Sequence, residues 1–114
     1  MTFFNAHGTL RVAADPQVRP VGETKVAKIV GVMSEKQGKT DKESVNFFDL
    51  ELWDTAADFV EKNVVKGDTI VVNSCTPRQQ SWEDKETGQK RSKIVFRVNN
   101  FDIKKRQVTE GSAG

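Results

Sequence analysis

The sequence predicts an all-β domain: five strands closed as a Greek-key barrel, with one short helix between strands three and four. Three observations carry that expectation. Apolar and polar residues alternate in several short stretches, the period of a half-buried strand. One segment between the third and fourth strands switches to helical spacing instead. The hydrophobic fraction, 36% of 114 residues, fills one modest core and leaves too little apolar material for a second domain.

Strands are expected over residues 6–14, 23–33, 45–53, 68–76 and 91–103. Between the first two, Pro16-Gln17-Val18-Arg19-Pro20-Val21-Gly22 reads as a turn-rich connection, because Pro and Gly punctuate it. A polar run over 34–44 joins the second to the third, and a long loop is expected over 77–90. In the third strand Asn46, Phe48, Leu50 and Leu52 lie on one side and read as core, while Val45, Phe47, Asp49, Glu51 and Trp53 lie on the other. After it, Ala56, Phe59, Val60 and Val64 recur at helical spacing, with Thr55-x-x-Asp58 as the start signal and Lys66-Gly67 as the stop. In the last strand Ile94, Phe96 and Val98 share a face, but Phe101 and Ile103 fall on the opposite parity, so a bulge is expected at Asn99-Asn100. A helix between strands three and four of a small barrel is the layout of the oligonucleotide-binding fold, the five-stranded OB-fold Greek-key barrel. Residues 1–103 are assigned to this domain, and 104–114 are expected to be a short, polar, disordered tail.

The net charge is only +2, but it is unevenly placed: residues 76–106 hold nine Lys/Arg against four Asp/Glu, so the rest of the chain is net acidic. Cys75 is the only cysteine, which excludes an internal disulfide and a Cys-based zinc site within one chain. His7 is the only histidine, so neither a metal site nor a His-based catalytic pair is expected, and no cofactor is called for. Gly38-Lys39-Thr40 imitates the end of a phosphate-binding loop, but Met33 stands where its first Gly belongs. Asp49 and Glu51 share a face without an apolar pocket to separate their pKa values, which argues against an acid/base pair. Catalysis is not expected. Met1-Thr2-Phe3-Phe4-Asn5 lacks a basic and then apolar leader, and no apolar run is long enough to span a bilayer, so an intracellular protein with no membrane partner is expected.

What remains is a binding surface. Phe47 and Trp53 sit on a partly polar strand face, and large aromatics there suit stacking on unpaired bases; the alternative is packing under a loop or in a subunit interface. Trp82 stands in the hydrophilic run Gln79-Gln80-Ser81-Trp82-Glu83-Asp84-Lys85, where no core pattern asks for it; the alternative is a Trp folded back on its own hairpin. Arg78, Lys85, Lys90, Arg91, Lys93 and Arg97 surround it in sequence and supply phosphate attraction, and Lys28 joins them as a DNA-binding candidate. A related primosome-type or RNA-binding barrel would use the same platform, since stacking does not read the sugar. An assembly subunit with its aromatics in interfaces is the rival from outside nucleic-acid binding.

Three stretches carry a resemblance: Asp15-Pro16-Gln17-Val18-Arg19, Val45-Asn46-Phe47-Phe48-Asp49-Leu50-Glu51-Leu52-Trp53, and Ser81-Trp82-Glu83-Asp84-Lys85-Glu86-Thr87-Gly88-Gln89-Lys90-Arg91. In order and spacing they resemble bacterial single-stranded DNA-binding proteins, with likeness running from about Thr9 to Ile103. The resemblance implies sequence-tolerant coating of single-stranded DNA in replication, recombination and repair. It implies base stacking by Phe47, Trp53 and Trp82, a first-strand contact at Arg11, and a homo-tetramer or, less often, a dimer. The chain departs from the family pattern at several places. Residues 34–44 lack the aromatic many members carry there, Asp49 and Glu51 make the stacking strand more acidic, and Leu10 replaces a usual Gly. The family's acidic, Phe-ended tip is not in this sequence, so recruitment of replication proteins through it is not expected.

Overall fold

The computed structural model describes residues 2–36, 38–39 and 42–105. Its elements are β1 (Ala6–Val12), β2 (Gln17–Val21), β3 (Thr24–Lys36), β4 (Glu43–Trp53), α1 (Thr55–Asn63), β5 (Thr69–Glu83) and β6 (Lys90–Lys104). The sheet runs β1-β5-β6-β4-β3-β2, and a further β1–β3 pairing closes five of these strands into a barrel with β2 appended on β3. All pairings are antiparallel except that of β4 with β6, where Leu50 meets Phe96 and Glu51 meets Arg97. The expected five-stranded barrel and its helix are therefore present, with one strand more than expected.

The core follows the alternation. Leu50 and Leu52 of β4 pack with Val12, Ala27, Ile29, Ile70, Val72, Cys75 and Val98 inside the barrel, and Phe48 meets Phe96 edge-on at 5.9 Å between ring centroids. Helix α1 contributes Ala57 and Val60, both fully buried, to the same cluster. It begins at Thr55 with Asp54 as N-cap, and neither supplies a side-chain cap; the Asp54 carbonyl accepts from the Asp58 N–H instead. Beyond it Gly67, at φ +96°, donates its N–H to the Val12 carbonyl and turns the chain into β5.

Four expectations are corrected. The Pro-rich connection is strand β2, which pairs residue by residue with β3 around a two-residue turn whose first position is Gly22 at φ +61°. Pro20 is tolerated there because β2 is an edge strand and need not donate from every residue. The loop expected over 77–90 is a hairpin arm: β5 continues to Glu83 and β6 starts at Lys90, paired in unbroken register from Cys75–Val98 to Glu83–Lys90. The arm's outer part was invisible to periodicity because residues 81–83 and 90–92 are exposed on both of its sides. Asn46, read as core, is exposed on β4, as Ile94 is at 51% on β6, because among the described residues β6 pairs with β4 only at Phe96 and Arg97. The bulge at Asn99 does occur, between Ser74–Asn100 and Cys75–Val98, and a compensating extra residue, Asn73, sits on β5. Finally, β6 extends through Lys104, and Lys105 pairs with the fully buried Asp68 at 2.7 Å, so two residues of the expected tail belong to the fold. Residues 106–114 lie outside the described residues.

Candidate functional site

Residues paired across a sheet point to the same side, as do residues two apart along a strand. From β4, the outward set is Val45, Phe47, Asp49, Glu51 and Trp53, and across β3 these face Val32, Val30, Lys28 and Val26. The parallel Glu51–Arg97 pair brings Lys93, Val95 and Arg97 of β6 to that side. Through β6 come Arg78, Gln80 and Trp82 of β5, with Arg91 opposite Trp82. Beyond β3, Gln17 and Arg19 of β2 pair with Lys28 and Val26, and Arg11 of β1 pairs with Val32. One outward face thus holds Phe47, Trp53, Trp82, Arg11, Lys28, Arg78, Arg91, Lys93 and Arg97. Lys90 pairs with Glu83 on the opposite parity of the arm, although it lines a concavity at the arm with Trp82 and Arg91. Lys85 lies in the loop between β5 and β6.

The three aromatics differ in state. Phe47 is 66% exposed and Trp82 46%, so neither is packed away as a core residue. Trp53 is half-buried, with the Arg97 guanidinium 5.0 Å from its ring centroid and its indole N–H buried without a partner among the described residues. A cation over the ring face uses the surface on which a base would stack, and among the described residues Trp53 carries such a cation where Phe47 and Trp82 do not.

The same face holds a groove of about 460 Å³. Val26 and Val95, 3% and 2% exposed, form an apolar floor, and Lys28, Lys93, Asp49, Glu51, Gln80 and Arg19 line the walls. Asp49 lies 4.0 Å from the Lys28 ammonium and 3.4 Å from that of Lys93, while Gln80 donates to Glu51 at 2.8 Å. The acids of this face are therefore partnered, Asp49 by two lysines and Glu51 by Gln80. Gln17, Arg19 and Gln80 were not singled out from sequence. The one available signal was that Gln80 stands two residues from both Arg78 and Trp82, and it needs the arm to be recognised as strand.

The hairpin tip that carries Trp82 is ordered by Asp84. Its carboxylate accepts from the N–H groups of Glu86 and Thr87 and from Arg91 Nε at 3.1 Å, and these donors, Glu86 first, hold its pKa below the ordinary value. On the barrel's other side, Lys25 bridges to Asp58 and Glu61 of α1, which raises the Lys25 pKa and lowers that of Asp58; as exposed pairs they contribute little to stability. Burial pushes the Cys75 thiol up, away from nucleophile chemistry. The Gly38-Lys39 turn is followed by β4 and not by a helix, and Thr40 lies outside the described residues. Among the described residues no three His, Cys, Asp or Glu side chains gather as metal ligands, and no helix is long and apolar enough to cross a membrane.

Residues 9–104 match the single-strand binding protein family. Single-stranded DNA-binding protein 1 of Synechocystis sp. is 30% identical over 103 residues, which cover 90% of this chain and 84% of that protein. Single-stranded DNA-binding protein 1 of Nostoc sp. is 32% identical over 93 residues, covering 82% and 76%. Among solved structures, a Plasmodium falciparum SSB in complex with ssDNA superposes with a TM-score of 0.79 over 94% of this chain and 97% of that one; at 16% identity the likeness is one of fold.

Proposed function

This chain belongs to the single-strand binding protein family, and from that premise we propose that it coats single-stranded DNA by stacking bases on Phe47, Trp53 and Trp82 while cations of the same face hold the phosphates. Its function is binding, not turnover. The observation that carries the proposed mechanism is the strand register: residues from 11 to 97 in sequence, on five strands, present three aromatics and six of the candidate cations, Lys28, Arg78, Arg91, Lys93, Arg97 and Arg11, to one side. Stacking is sequence-tolerant because every base has a π face, and duplex DNA hides those faces. Titration with oligo-dT is expected to quench tryptophan fluorescence strongly, and duplex of equal length is expected to compete only weakly. Displacement of oligo-dT by duplex at a similar concentration would sink the stacking mechanism.

The finer reading is a homo-tetramer acting in replication, recombination and repair, in the compartment that holds the DNA. Its support in the fold is an open edge. Among the described residues β1 meets β3 only at Arg11 and Val12, which leaves much of one side of β1 unpaired, and open edges invite strand pairing with another copy. Phe3 and Phe4, 85% and 68% exposed, precede that edge.

A further inference from the structure

On the proposed interface the aromatics and the groove differ. Phe47 and Trp82 stand open. In the groove on the same face, one Asp49 carboxylate oxygen lies 4.0 Å from Lys28 Nζ and the other 3.4 Å from Lys93 Nζ. Glu51, the neighbouring acid on this face, takes its hydrogen bond from Gln80, so Asp49 is the carboxylate that spans the two lysines. Both lysines remain reachable: their side chains are 43% and 39% exposed, against 27% for Asp49. Two ammonium groups around one monoanionic oxygen acid, above a floor of Val26 and Val95, make the surroundings that a backbone phosphodiester takes from lysine.

We propose that this groove is a two-lysine phosphodiester subsite which, in the DNA-free protein, is occupied by the chain's own Asp49 carboxylate, and that an incoming DNA phosphate displaces it. The proposal rests on this face being the single-stranded DNA interface. With Asp49 present the subsite offers a net single positive charge, and the displaced carboxylate stays close to the phosphate that replaces it. Asp49 therefore sets a ceiling on affinity and flattens its dependence on salt. Neutralising it frees both lysines, and the gain fades at high salt, where charges this exposed are screened.

The test is a double-mutant series on the full chain, titrated with labelled oligo-dT across a range of salt. Asp49→Asn, which keeps the side-chain shape, is expected to tighten binding about threefold to tenfold at low salt. It is expected to steepen the log–log salt slope by about 0.7 for each phosphate newly held. Asp49→Ala must move the same way. Lys28→Gln and Lys93→Gln are each expected to weaken binding by a larger factor in the Asp49→Asn background than in the native one. Native affinity and slope in Asp49→Asn, or lysine substitutions that cost the same in both backgrounds, overturn the proposal. Phe47→Ala and Trp82→Ala tell the two failures apart. If they weaken binding while Asp49→Asn is silent, the subsite alone falls; if they leave binding intact, the interface falls and the subsite with it.

Discussion

At Trp82 the indole is 46% exposed on a two-stranded arm, so removing it takes little from the core. Trp82→Ala is expected to weaken oligo-dT binding by about 1–3 kcal/mol and to shift folding stability by less than about 0.5 kcal/mol. Trp53 is different: half-buried on β4, under Arg97, it contributes to the fold as well as to the face. Trp53→Ala is expected to lower both affinity and the thermal midpoint. Paired titrations and melts of the two variants check this. A Trp82→Ala variant that loses stability in step with affinity contradicts the assignment of that ring to ligand. Residue type and spacing pointed to these rings, but only burial separates an open platform from one already covered.

At the scale of elements, β1 and β3 meet through an unusual pair. A Cβ on Gly31 would lie 2.7 Å from Leu10 Cδ1 and 3.1 Å from Leu10 Cβ, so Leu10, which departs from the family pattern, packs over a glycine on the facing strand. Gly31→Ala is expected to destabilise by about 1–3 kcal/mol in urea unfolding, as overpacked cores do. Adding Leu10→Ala is expected to recover part of that loss, and strictly additive costs would mean that the two side chains do not compete. The hairpin arm depends on Asp84 in a pH-dependent way. Because the folded carboxyl is held below its ordinary value of 3.8, chiefly by the Glu86 N–H, its contribution is complete above that value and is lost as pH falls through the folded pKa. Amide exchange at Glu86 and Thr87 is expected to accelerate beyond its ordinary pH trend as the solution is acidified below about 3.8, and Asp84→Asn is expected to erase that step.

For the whole molecule, closure is what makes one surface out of distant residues. The parallel β4–β6 contact spans only Leu50–Phe96 and Glu51–Arg97, yet it sets the acidic strand beside the basic one and turns a charge asymmetry along the chain into an interleaved face. The same closure leaves much of β1's edge uncovered. Light scattering at micromolar protein is therefore expected to give an oligomer, with a tetramer as the expected size. Phe3→Ser with Phe4→Ser is expected to shift the distribution toward smaller species. A monomer of the native chain at that concentration refutes the assembly and leaves DNA binding to a single barrel.

The sequence by itself determined the features that repeat locally. The inward set Phe48, Leu50 and Leu52, though not the exposed Asn46 read with them, the outward set Val45, Phe47, Asp49, Glu51 and Trp53, the helix carrying Val60, and the bulge at Asn99 all follow from periods of two or 3.6 read within one segment. The three base-stacking candidates were legible for the same reason, as large rings where no core pattern placed them. Only the tertiary structure decided what depends on a second segment. Strand β2 is a strand because β3 pairs with it, despite Pro20 and Gly22, and the 77–90 stretch is an arm because β5 and β6 satisfy each other's backbone. Arg97 reaches Trp53, and Lys28 and Lys93 bracket Asp49, because a parallel register brings β6 alongside β4. Alternation within a strand says which side a residue faces; only the pairing of strands far apart in sequence says what else is on that side.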